Sequence, residues 1–259
     1  MVLARQFDLE RLRRHARPFR VHWFARLRST NDHAAELRRR KDLFAPAIVL
    51  AGMQTHGRGR NRNAWWSGPG SITATFVVPI DPRPRLSPHQ LPLIAGLAVR
   101  DAVAEVTADP GIELKWPNDL MYGTRKFAGL LCERVHRADL IGLGLNVNLD
   151  RTEAPAHLRD RITSLAQISG SPFDKTDVLI SILQHLHRTL SRRDEVPFAS
   201  ILKEYDRHHV LRGRRVTVSA TYDQTSLSGT CQGLDGLGRL LVRDGNRLVH
   251  VVAGQVQMR

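Results

Sequence analysis

The chain has 259 residues, of which 42% are apolar and 25% charged, and these proportions exclude a disordered chain, a collagen and a disulfide miniprotein. Its 39 Lys and Arg residues outnumber the 25 Asp and Glu residues, which gives a formal net charge of +14. A positive excess of this size favours an anionic partner such as a nucleic acid, a phosphate-bearing substrate or an acidic protein. An arginine-rich solvated surface explains it equally well, because the Arg residues are spread along the whole chain.

The two cysteines, Cys132 and Cys231, lie far apart, and neither belongs to a Cys-x-x-Cys motif. The sequence therefore predicts neither a disulfide framework nor a metal site. The first ten residues lack an apolar signal region, and no stretch reaches the roughly 18 apolar residues of a membrane span. We expect a protein of the reducing cytoplasm that does not enter a membrane.

In the first part of the chain, short apolar runs alternate with helix-start signals. The Ser-Thr-Asn-Asp run at 29–32 and the Ser-Pro-His-Gln run at 87–90 are typical of capped helix starts. Apolar and polar residues alternate over 71–78, as they do in a half-buried strand. In chain order we predict a helix over 8–15, a strand over 21–27, a helix starting at Ser29, a strand over 47–53, a long loop over 54–70, a strand over 71–78 and a helix starting at Ser87.

The remainder of the chain continues this mixture and changes character after Arg212. From there, apolar runs recur at roughly ten-residue spacing with glycine-rich turns, which is typical of a small all-β module. The predicted fold is α+β, with a mixed, largely antiparallel sheet and helices packed on one side over residues 1–210, then a small β-barrel over 211–259. The remaining predicted elements are strands over 112–116, 125–135 and 140–149, helices over 174–192 and 198–209, and strands over 216–220, 227–232, 239–243 and 248–252.

The predicted strand over 140–149 has one unusual face, built from Gly142, Gly144, Asn146 and Asn148. A face of this composition cannot form an apolar core. Glycine in a strand also lets a ligand or another backbone come close. We therefore expect a close approach at this face.

The loop over 54–70 contains Gly57-Arg58-Gly59-Arg60, followed by Trp65. Glycines let a backbone approach a ligand, and arginines offer paired donors to a carboxylate or a phosphate. The run is not a dinucleotide fingerprint, because Arg62 stands where that pattern needs Gly, and it lacks the end of a P-loop. Taken alone, it is equally an exposed turn with solvated arginines.

Two further motifs bring chemically useful groups together. Lys115-Trp116-Pro117-Asn118-Asp119 holds a cation, an aromatic ring, a rigid turn, an amide and a carboxylate within five residues. Pro117 fixes the turn that presents Asn118 and Asp119 at a strand end, although Pro-Asn-Asp is also an ordinary turn sequence. Lys126-Phe127-Ala128-Gly129 places a lysine at a strand start, where lysine is common for other reasons.

Taken in order, these motifs resemble the biotin protein ligase family. The resemblance covers about residues 20–150, and the last 45 or so residues resemble that family's SH3-like domain. It implies a class II synthetase-like catalytic domain followed by an SH3-like β-barrel. It rests on Ser29-Thr30-Asn31, Gln54, Gly57–Arg60, Trp65, Lys115–Asp119, Lys126–Gly129 and the GLGLNVN run at 142–148.

The resemblance implies a two-step reaction that uses ATP and Mg²⁺. Biotin and MgATP give biotinyl-5′-AMP and pyrophosphate, and the adenylate then acylates one lysine of a biotin carboxyl carrier domain, as in acetyl-CoA carboxylase. The biotin carboxylate is already ionised at neutral pH, so the first step needs no general base. Cations and a divalent ion must instead hold two anions together.

The same resemblance implies the site residues. Asp119 is the candidate for orienting or deprotonating the acceptor lysine, and Trp65 for closing the loop over the ligand. The implied catalytic residues are Arg58, Lys126, Asn118 and Asp119. The implied biotin-binding residues are Ser29, Thr30, Asn31, Gln54, Arg58, Gly59, Arg60 and Lys126. The implied nucleotide-binding residues are Arg58, Arg60, Trp65, Lys115, Asn118, Asp119, Gly129, Asn146 and Asn148.

The chain departs from the family pattern in two places. Many members carry Arg two residues before the tryptophan, where this chain has Asn63, and this affects which side chain completes the charge of the loop. Some members begin with a DNA-binding repressor domain of about 60 residues, whereas 28 residues precede Ser29 here. We expect a ligase without that domain and without specific DNA binding.

Two alternatives stay open. A lipoate or octanoate ligase has the same catalytic fold by resemblance, although the Gly57–Arg60 and Lys115–Asp119 motifs favour biotin. A basic nucleic-acid-binding protein is suggested by the net charge and the small β module, but the sequence has no RNA-binding or helix-turn-helix pattern. The sequence does not decide between a monomer and a homodimer.

Overall fold

The computed structural model describes residues 7–80, 87–192, 195–219 and 226–258, and the side chain of Arg62 is outside this description. Residues 1–6 and the last residue of the predicted strand 216–220 therefore lie outside the described residues. The helices are α1 Leu9–His15, α2 Thr30–Arg39, α3 Leu91–Thr107, α4 Ala156–Arg159, α5 Leu165–Ser169, α6 Lys175–Ser191 and α7 Phe198–Arg207. The strands are β1 Arg20–Leu27, β2 Ala47–Gln54, β3 Gly57–Arg58, β4 Ala64–Trp65, β5 Ser71–Pro79, β6 Glu113–Lys115, β7 Asp119–Tyr122, β8 Arg125–Val135, β9 Ala138–Asn146, β10 Arg215–Ser219, β11 Ser226–Leu234, β12 Leu240–Asp244, β13 Arg247–Val251 and β14 Gln255–Met258.

A seven-stranded sheet forms the centre of the molecule, in the order β1-β2-β5-β9-β8-β7-β6. Strands β1 and β2 are parallel, because the connection between them crosses over through α2. The other neighbouring pairs are antiparallel. The predicted mixed, largely antiparallel sheet is therefore confirmed.

The two faces of this sheet are covered differently. Successive strand residues point to opposite faces, so Ile48 and Leu50 of β2 pack in one cluster and Val49 packs in another. The first cluster includes residues of α1, α3 and α6, which lie on one side as predicted. Helix α2 was not expected on the other face, where its small residues Ala34 and Ala35 cover the ends of β2, β5 and β9.

Several local expectations are corrected by the packing. Strand β5 is buried along both faces, rather than half-buried, because α2 and its N-terminal turn cover the polar side. Helix α3 begins at Leu91, because 88–90 form a separate turn in which Gln90 Oε1 accepts the Ser87 N–H at 3.0 Å. The loop over 54–70 contains the short β3–β4 ribbon, and the sequence analysis missed β7 and β14.

The C-terminal residues form a five-stranded antiparallel sheet in the order β13-β12-β11-β10-β14, as the prediction of a small β module requires. The first sheet packs against it through buried contacts. Trp116 Nε1 donates to the carbonyl of Gly238 at 3.1 Å, and Val216 and Leu240 belong to the same apolar cluster as Leu202. The boundary placed at residue 210 stays a prediction. No helix in the described parts of the chain is long and apolar enough to cross a membrane.

The buried ring of Phe76 offers a test of this core. Phe76 is 0% exposed at the centre of β5, whereas Phe44 is 64% exposed. Phe76→Ala should lower the free energy of unfolding by about 3–5 kcal/mol, because it removes a buried ring and leaves a cavity. Phe44→Ala should change it by less than about 0.5 kcal/mol. Urea unfolding measures both, and equal effects of the two substitutions would contradict this packing.

Candidate active site

Predicted site residues meet on the α2 face of the central sheet, beyond the N-terminus of α2. We call the region that they border, between the loop over 54–70 and strands β6 to β9, the groove. Its floor includes Gly142 and Gly144 of β9, whose neighbours Ile141, Leu143 and Leu145 point into the core on the other face. A Cβ atom at Gly142 would lie 2.2 Å from Asn31 Oδ1, and one at Gly144 would lie 2.2 Å from Trp65 Cε2. The groups that approach this face are the side chains of Asn31 and Trp65, two of the predicted site residues, whereas the approach of a ligand stays a prediction.

The turn that starts α2 forms the polar end of the groove. Ser29 caps the helix by accepting the Asp32 N–H at 3.3 Å. The amide oxygen of Gln54, at the end of β2, accepts the Thr30 N–H at 2.7 Å and the Thr30 hydroxyl at 3.1 Å. Thr75 Oγ1 donates to Asn31 Oδ1 at 2.6 Å and lies 2.9 Å from Thr30 Oγ1. The turn is therefore held rigidly, with its polar groups beside the groove.

Arg58 is held at this end of the groove by two carboxylates. Its Nη2 lies 2.6 Å from Asp32 Oδ1 and 3.0 Å from Glu133 Oε2. Desolvation by burial pulls the pKa of Arg58 down, but the hydrogen bonds to Asp32 and Glu133 outweigh it and leave that pKa raised. The guanidinium therefore carries its full charge and is already paired.

Lys126 lies in the middle of the groove. Its Nζ is 2.6 Å from Asp119 Oδ1 and 5.4 Å from the centre of the Trp65 ring. The missing side chain of Gly129 leaves room for it, because a Cβ there would lie 2.9 Å from that Nζ. A lysine with one carboxylate and one aromatic face as neighbours can still bind a further anion.

Lys115 and Arg60 lie near the turn between β6 and β7, where Lys115 is opposite Asp119 and Arg60 borders Leu130 and Cys132. Burial lowers the pKa of Lys115, and the charges of Lys126 and Arg161 lower it further while Asp119 opposes the shift. Burial also lowers the pKa of Arg60, whose Nη1 is 3.4 Å from Asn118 Oδ1. Among the described residues neither cation forms an ion pair, so this end of the groove suits an anion.

Asn118 and Trp65 complete the walls. Asn118 Nδ2 donates to the carbonyl of Leu130 at 2.6 Å, which fixes the turn after Pro117 against β8. Trp65 comes from the β3–β4 ribbon, where it pairs with Gly57. Its ring lies over Gly144, and its Nε1 is buried without a hydrogen-bond partner in the part of the chain that the structure describes.

The structure brings most of the predicted site residues to this one groove. Gly59 is beside it in the loop, where its N–H donates to the carbonyl of Asn63 at 2.7 Å. The residues that lie along the groove or in the loop over it are Ser29, Thr30, Asn31, Gln54, Arg58, Gly59, Arg60, Trp65, Lys115, Asn118, Asp119, Lys126 and Gly129.

The side-chain amides of Asn146 and Asn148 form hydrogen bonds outside the groove. Asn146 Nδ2 donates to the carbonyl of Thr163 at 3.1 Å. Asn148 Nδ2 donates to the carbonyl of Phe173 at 2.7 Å, and its Oδ1 accepts the N–H of the same residue at 2.9 Å. Both side chains therefore fasten the segment after β9 to the end of the sheet.

The sequence analysis missed three residues that shape the groove. Thr75 was seen only as part of a polar strand face, and Asp32 only as a helix-start residue. Glu133 gave no signal, because a single acid in a strand is usually solvated. Strand alternation could have found it, since Glu133 is four residues from Gly129 and so shares its face.

Among the described residues no group of three or more His, Cys, Asp and Glu side chains could hold a metal ion. Asp119 is paired with Lys126, and Asp32 and Glu133 are paired with Arg58. The groove therefore offers one carboxylate beside Lys126 and two beside Arg58, each already paired with a cation. Magnesium commonly binds to proteins through one or two carboxylates together with substrate phosphates.

Comparison with known families gives two matches. Residues 23–150 match the model of the biotin/lipoate A/B protein ligase family, and residues 213–259 match that of the biotin protein ligase C-terminal domain. The chain is 33% identical over 216 residues to a biotin–[acetyl-CoA-carboxylase] ligase of Mycobacterium tuberculosis, covering 81% of this chain and 77% of the relative. It is 28% identical over 219 residues to the bifunctional ligase/repressor BirA of Bacillus subtilis, covering 82% of this chain and 66% of the relative.

Solved structures also match over nearly the whole chain. The biotin protein ligase from Aquifex aeolicus in complex with biotin and ATP has a TM-score of 0.81 and 28% identity, covering 93% of this chain and 98% of that one. The biotin protein ligase from Leishmania major in complex with biotinyl-5-AMP has a TM-score of 0.63 and 25% identity, covering 93% and 99%.

The seat of Trp65 on Gly144 can be tested with a matched pair of glycines. Gly144→Ala places a methyl group where the indole lies, whereas a Cβ at Gly236 meets nothing within 4 Å. Gly144→Ala should push Trp65 into solvent, shift the tryptophan emission to longer wavelength and increase quenching by iodide. Gly236→Ala should leave both signals unchanged.

The Gly144→Ala substitution made in a Trp65→Phe variant shows whether the change in tryptophan emission comes from Trp65. There the Gly144→Ala shift should disappear, since the three atoms nearest to a Cβ at Gly144 all belong to Trp65. A shift of the same size in that background would show that Trp65 does not rest on Gly144.

Proposed function

This chain belongs to the biotin/lipoate A/B protein ligase family, and we propose that it is an ATP-dependent biotin protein ligase. It joins biotin and ATP to give biotinyl-5′-AMP and pyrophosphate. It then transfers the biotinyl group to one lysine of a biotin carboxyl carrier domain. The observation that supports this most is the meeting of Gly57–Arg60, Lys115–Asp119 and Lys126 at one groove beside Ser29–Asn31.

In the first step the biotin carboxylate attacks the α-phosphorus of ATP, and pyrophosphate leaves. The main obstacle is the repulsion between two anions, which cations in a partly desolvated groove can offset. We assign this role to Lys126, Arg60 and Lys115, since Arg58 is already paired with Asp32 and Glu133. Lys126 is central, because its Nζ can bind an incoming carboxylate or phosphate while it stays near Asp119.

Biotin is assigned to the polar end of the groove. Its ureido ring carries two N–H donors and one carbonyl acceptor, which suit the hydroxyl and amide groups of Ser29, Thr30, Asn31 and Gln54. These groups already hydrogen-bond to each other, so their orientations are fixed before the ring arrives. Trp65 supplies an apolar surface beside Gly144 for the aliphatic part of the substrate.

The nucleotide is assigned to the other end, between Gly129, Asn118 and the cations Arg60 and Lys115. Mg²⁺ would come bound to the phosphates of ATP and would neutralise part of their charge, with Asp119 as the nearest carboxylate on this chain. Asn146 and Asn148 contribute indirectly, because their amides hold the segment after β9 in place.

In the second step the acceptor lysine attacks the acyl carbon and AMP leaves. An ordinary lysine has a pKa of about 10.4, so it must lose a proton before it attacks. We assign the proton to Asp119, which lies against Lys126 at the position of the acyl group. The acceptor gives this first proton to Asp119 before the attack. As the nitrogen–carbon bond forms, the bond between the acyl carbon and the phosphate oxygen breaks and its electron pair leaves with AMP, and the second proton on the nitrogen passes to solvent.

The proposed protein partner is a carrier domain, and the cytoplasm, which supplies ATP, is the proposed setting. With a net charge of +14, the enzyme would attract an acidic carrier and associate with it faster at low salt. The repressor activity in the name of the Bacillus subtilis relative is not part of the proposal, since this chain spans 66% of that protein. A monomer and a homodimer both remain compatible with it.

A lipoate ligase is the second candidate, because the matching family model covers both substrates. Pyrophosphate release distinguishes them when the enzyme is supplied with MgATP and either biotin, lipoate or octanoate. Of these three acids, we expect only biotin to cause release of pyrophosphate. Release with lipoate or octanoate but not with biotin would reassign the substrate, and no release with any of the three would overturn the ligase proposal.

Lys126 gives the sharpest test of the mechanism. Lys126→Gln removes the central cation and keeps a side chain of similar length, so kcat/KM for biotinyl-5′-AMP formation should fall by about 10²–10³-fold. The exposed Lys203 provides the control, and Lys203→Gln should have wild-type activity. Activity of Lys126→Gln within about threefold of wild type would contradict the central role of this cation.

A further inference from the structure

The carboxylate of Glu133 bridges two segments that border the groove. Glu133 Oε2 accepts Arg58 Nη2 at 3.0 Å and Asn31 Nδ2 at 2.8 Å. Arg58 belongs to the loop over the groove, whereas Asn31 belongs to the first turn of α2. One carboxylate on β8 therefore ties the loop to the body of the protein.

On the side of the bridge formed by Asn31 and α2, the structure is held by several hydrogen bonds. Asn31 Nδ2 also lies 3.1 Å from the carbonyl of Leu131, and Asn31 Oδ1 accepts the Thr75 hydroxyl at 2.6 Å. Asn31 is 3% exposed and presses on Gly142. Asn31 thus has little freedom to move, and its hydrogen bond to Glu133 gives that carboxylate a fixed partner on the body of the protein.

The loop side has little structure of its own. Its ribbon has two opposed pairs, Gly57 with Trp65 and Arg58 with Ala64, and the Gly59 N–H closes the turn onto the carbonyl of Asn63. A two-stranded ribbon of this length is not stable alone. The loop must therefore be held by contacts that its side chains make with the rest of the protein.

The charge count at Arg58 separates two possible roles for it. Asp32 and Glu133 both lie within 3.0 Å of Arg58 Nη2, so the cluster of one cation and two carboxylates carries a net charge of −1. A net negative cluster does not attract a carboxylate or a phosphate. Arg58 is better suited to fastening the loop than to binding the anionic substrates directly.

We propose that Glu133 is a positioning residue which, together with Asp32, clamps Arg58 and so keeps the loop over 57–65 closed on the groove. This inference rests on the proposed function, and it assigns to the clamp the retention of biotinyl-5′-AMP until the acceptor arrives. Loss of the clamp raises KM for biotin and speeds release of the adenylate. The rate of the adenylation step itself stays close to that of wild type.

The first test follows the loop without any substrate. Trypsin cleaves after Arg58 only when the loop opens, and mass spectrometry reports that cleavage. In Glu133→Gln it should be about 2- to 5-fold faster than in wild type, the size expected for losing one partly exposed ion pair. Asp32→Asn should behave similarly, and Glu133→Asp, which keeps the charge, should lie nearer to wild type.

Two controls make this comparison specific. Glu36→Gln removes an exposed ion pair with Arg40 on the same helix as Asp32, and it should leave the cleavage after Arg58 unchanged. Cleavage after the exposed Arg247 in the C-terminal sheet reports general unfolding. If Glu133→Gln raises that cleavage too, Asp32→Asn decides the question. If it does not, Glu133→Gln itself decides the question. A cleavage rate after Arg58 equal to that of wild type in the variant that decides overturns the clamp.

The second test follows the reaction. Glu133→Gln should raise KM for biotin and shorten the lifetime of bound biotinyl-5′-AMP by the same factor of about 2 to 5. The single-turnover rate of adenylation should change by less than about 1.5-fold. A fall in that rate with unchanged KM and lifetime would contradict a positioning role. If the wild-type protein makes no adenylate, the proposed function fails, whereas the proteolysis result still decides whether the clamp exists.

Discussion

The groove depends on the absence of side chains along one face of β9. This strand lies at the centre of the sheet, and its residues Ile141, Leu143 and Leu145 fill the core on the opposite face. Because Gly142 and Gly144 alternate with these residues, the strand contributes to the core on one face and has no side chains at these two positions on the other. Asn31 and Trp65 lie against that face, where a Cβ on either glycine would be only 2.2 Å from one of their atoms. A larger residue at either position would collide with Asn31 or Trp65 and displace it.

Much of the fold was predictable because it follows from local patterns. The capped start of α2, the apolar run of β2, the alternation of β5 and the repeated short strands after Arg212 each depend on neighbouring residues. The start of α3 was predicted too early, because the Gln90 N–H closes a separate turn onto the Ser87 carbonyl, although Gln90 Oε1 accepts the Ser87 N–H as a capping box requires. Both sides of β5 are buried through a distant helix, which a local pattern cannot reveal.

The site was predictable in its members but not in its pairings. Motif order identified the loop arginines, Lys126 and Asp119, whereas no local pattern indicates that Arg58 pairs with Glu133, 75 residues away. The amide of Asn148 turns to Phe173 for the same reason, since that contact depends on how the segment after β9 folds back. Long-range pairing of polar groups is set by the tertiary fold, and a single sequence contains little information about it.

The pairings also divide the groove by charge. Near α2, Arg58 is outweighed by Asp32 and Glu133, and Lys126 in the middle is balanced by Asp119. Towards β6, Lys115 and Arg60 are partly desolvated, and among the described residues neither is in an ion pair. A polyphosphate is therefore attracted to one end, and a neutral ureido ring is accepted more readily at the other. If the proposed function holds, this difference in charge orients the two substrates so that their reacting groups meet at Lys126. The charge of Lys126 is already balanced by Asp119, so the reacting groups meet where the net charge of the protein is close to zero.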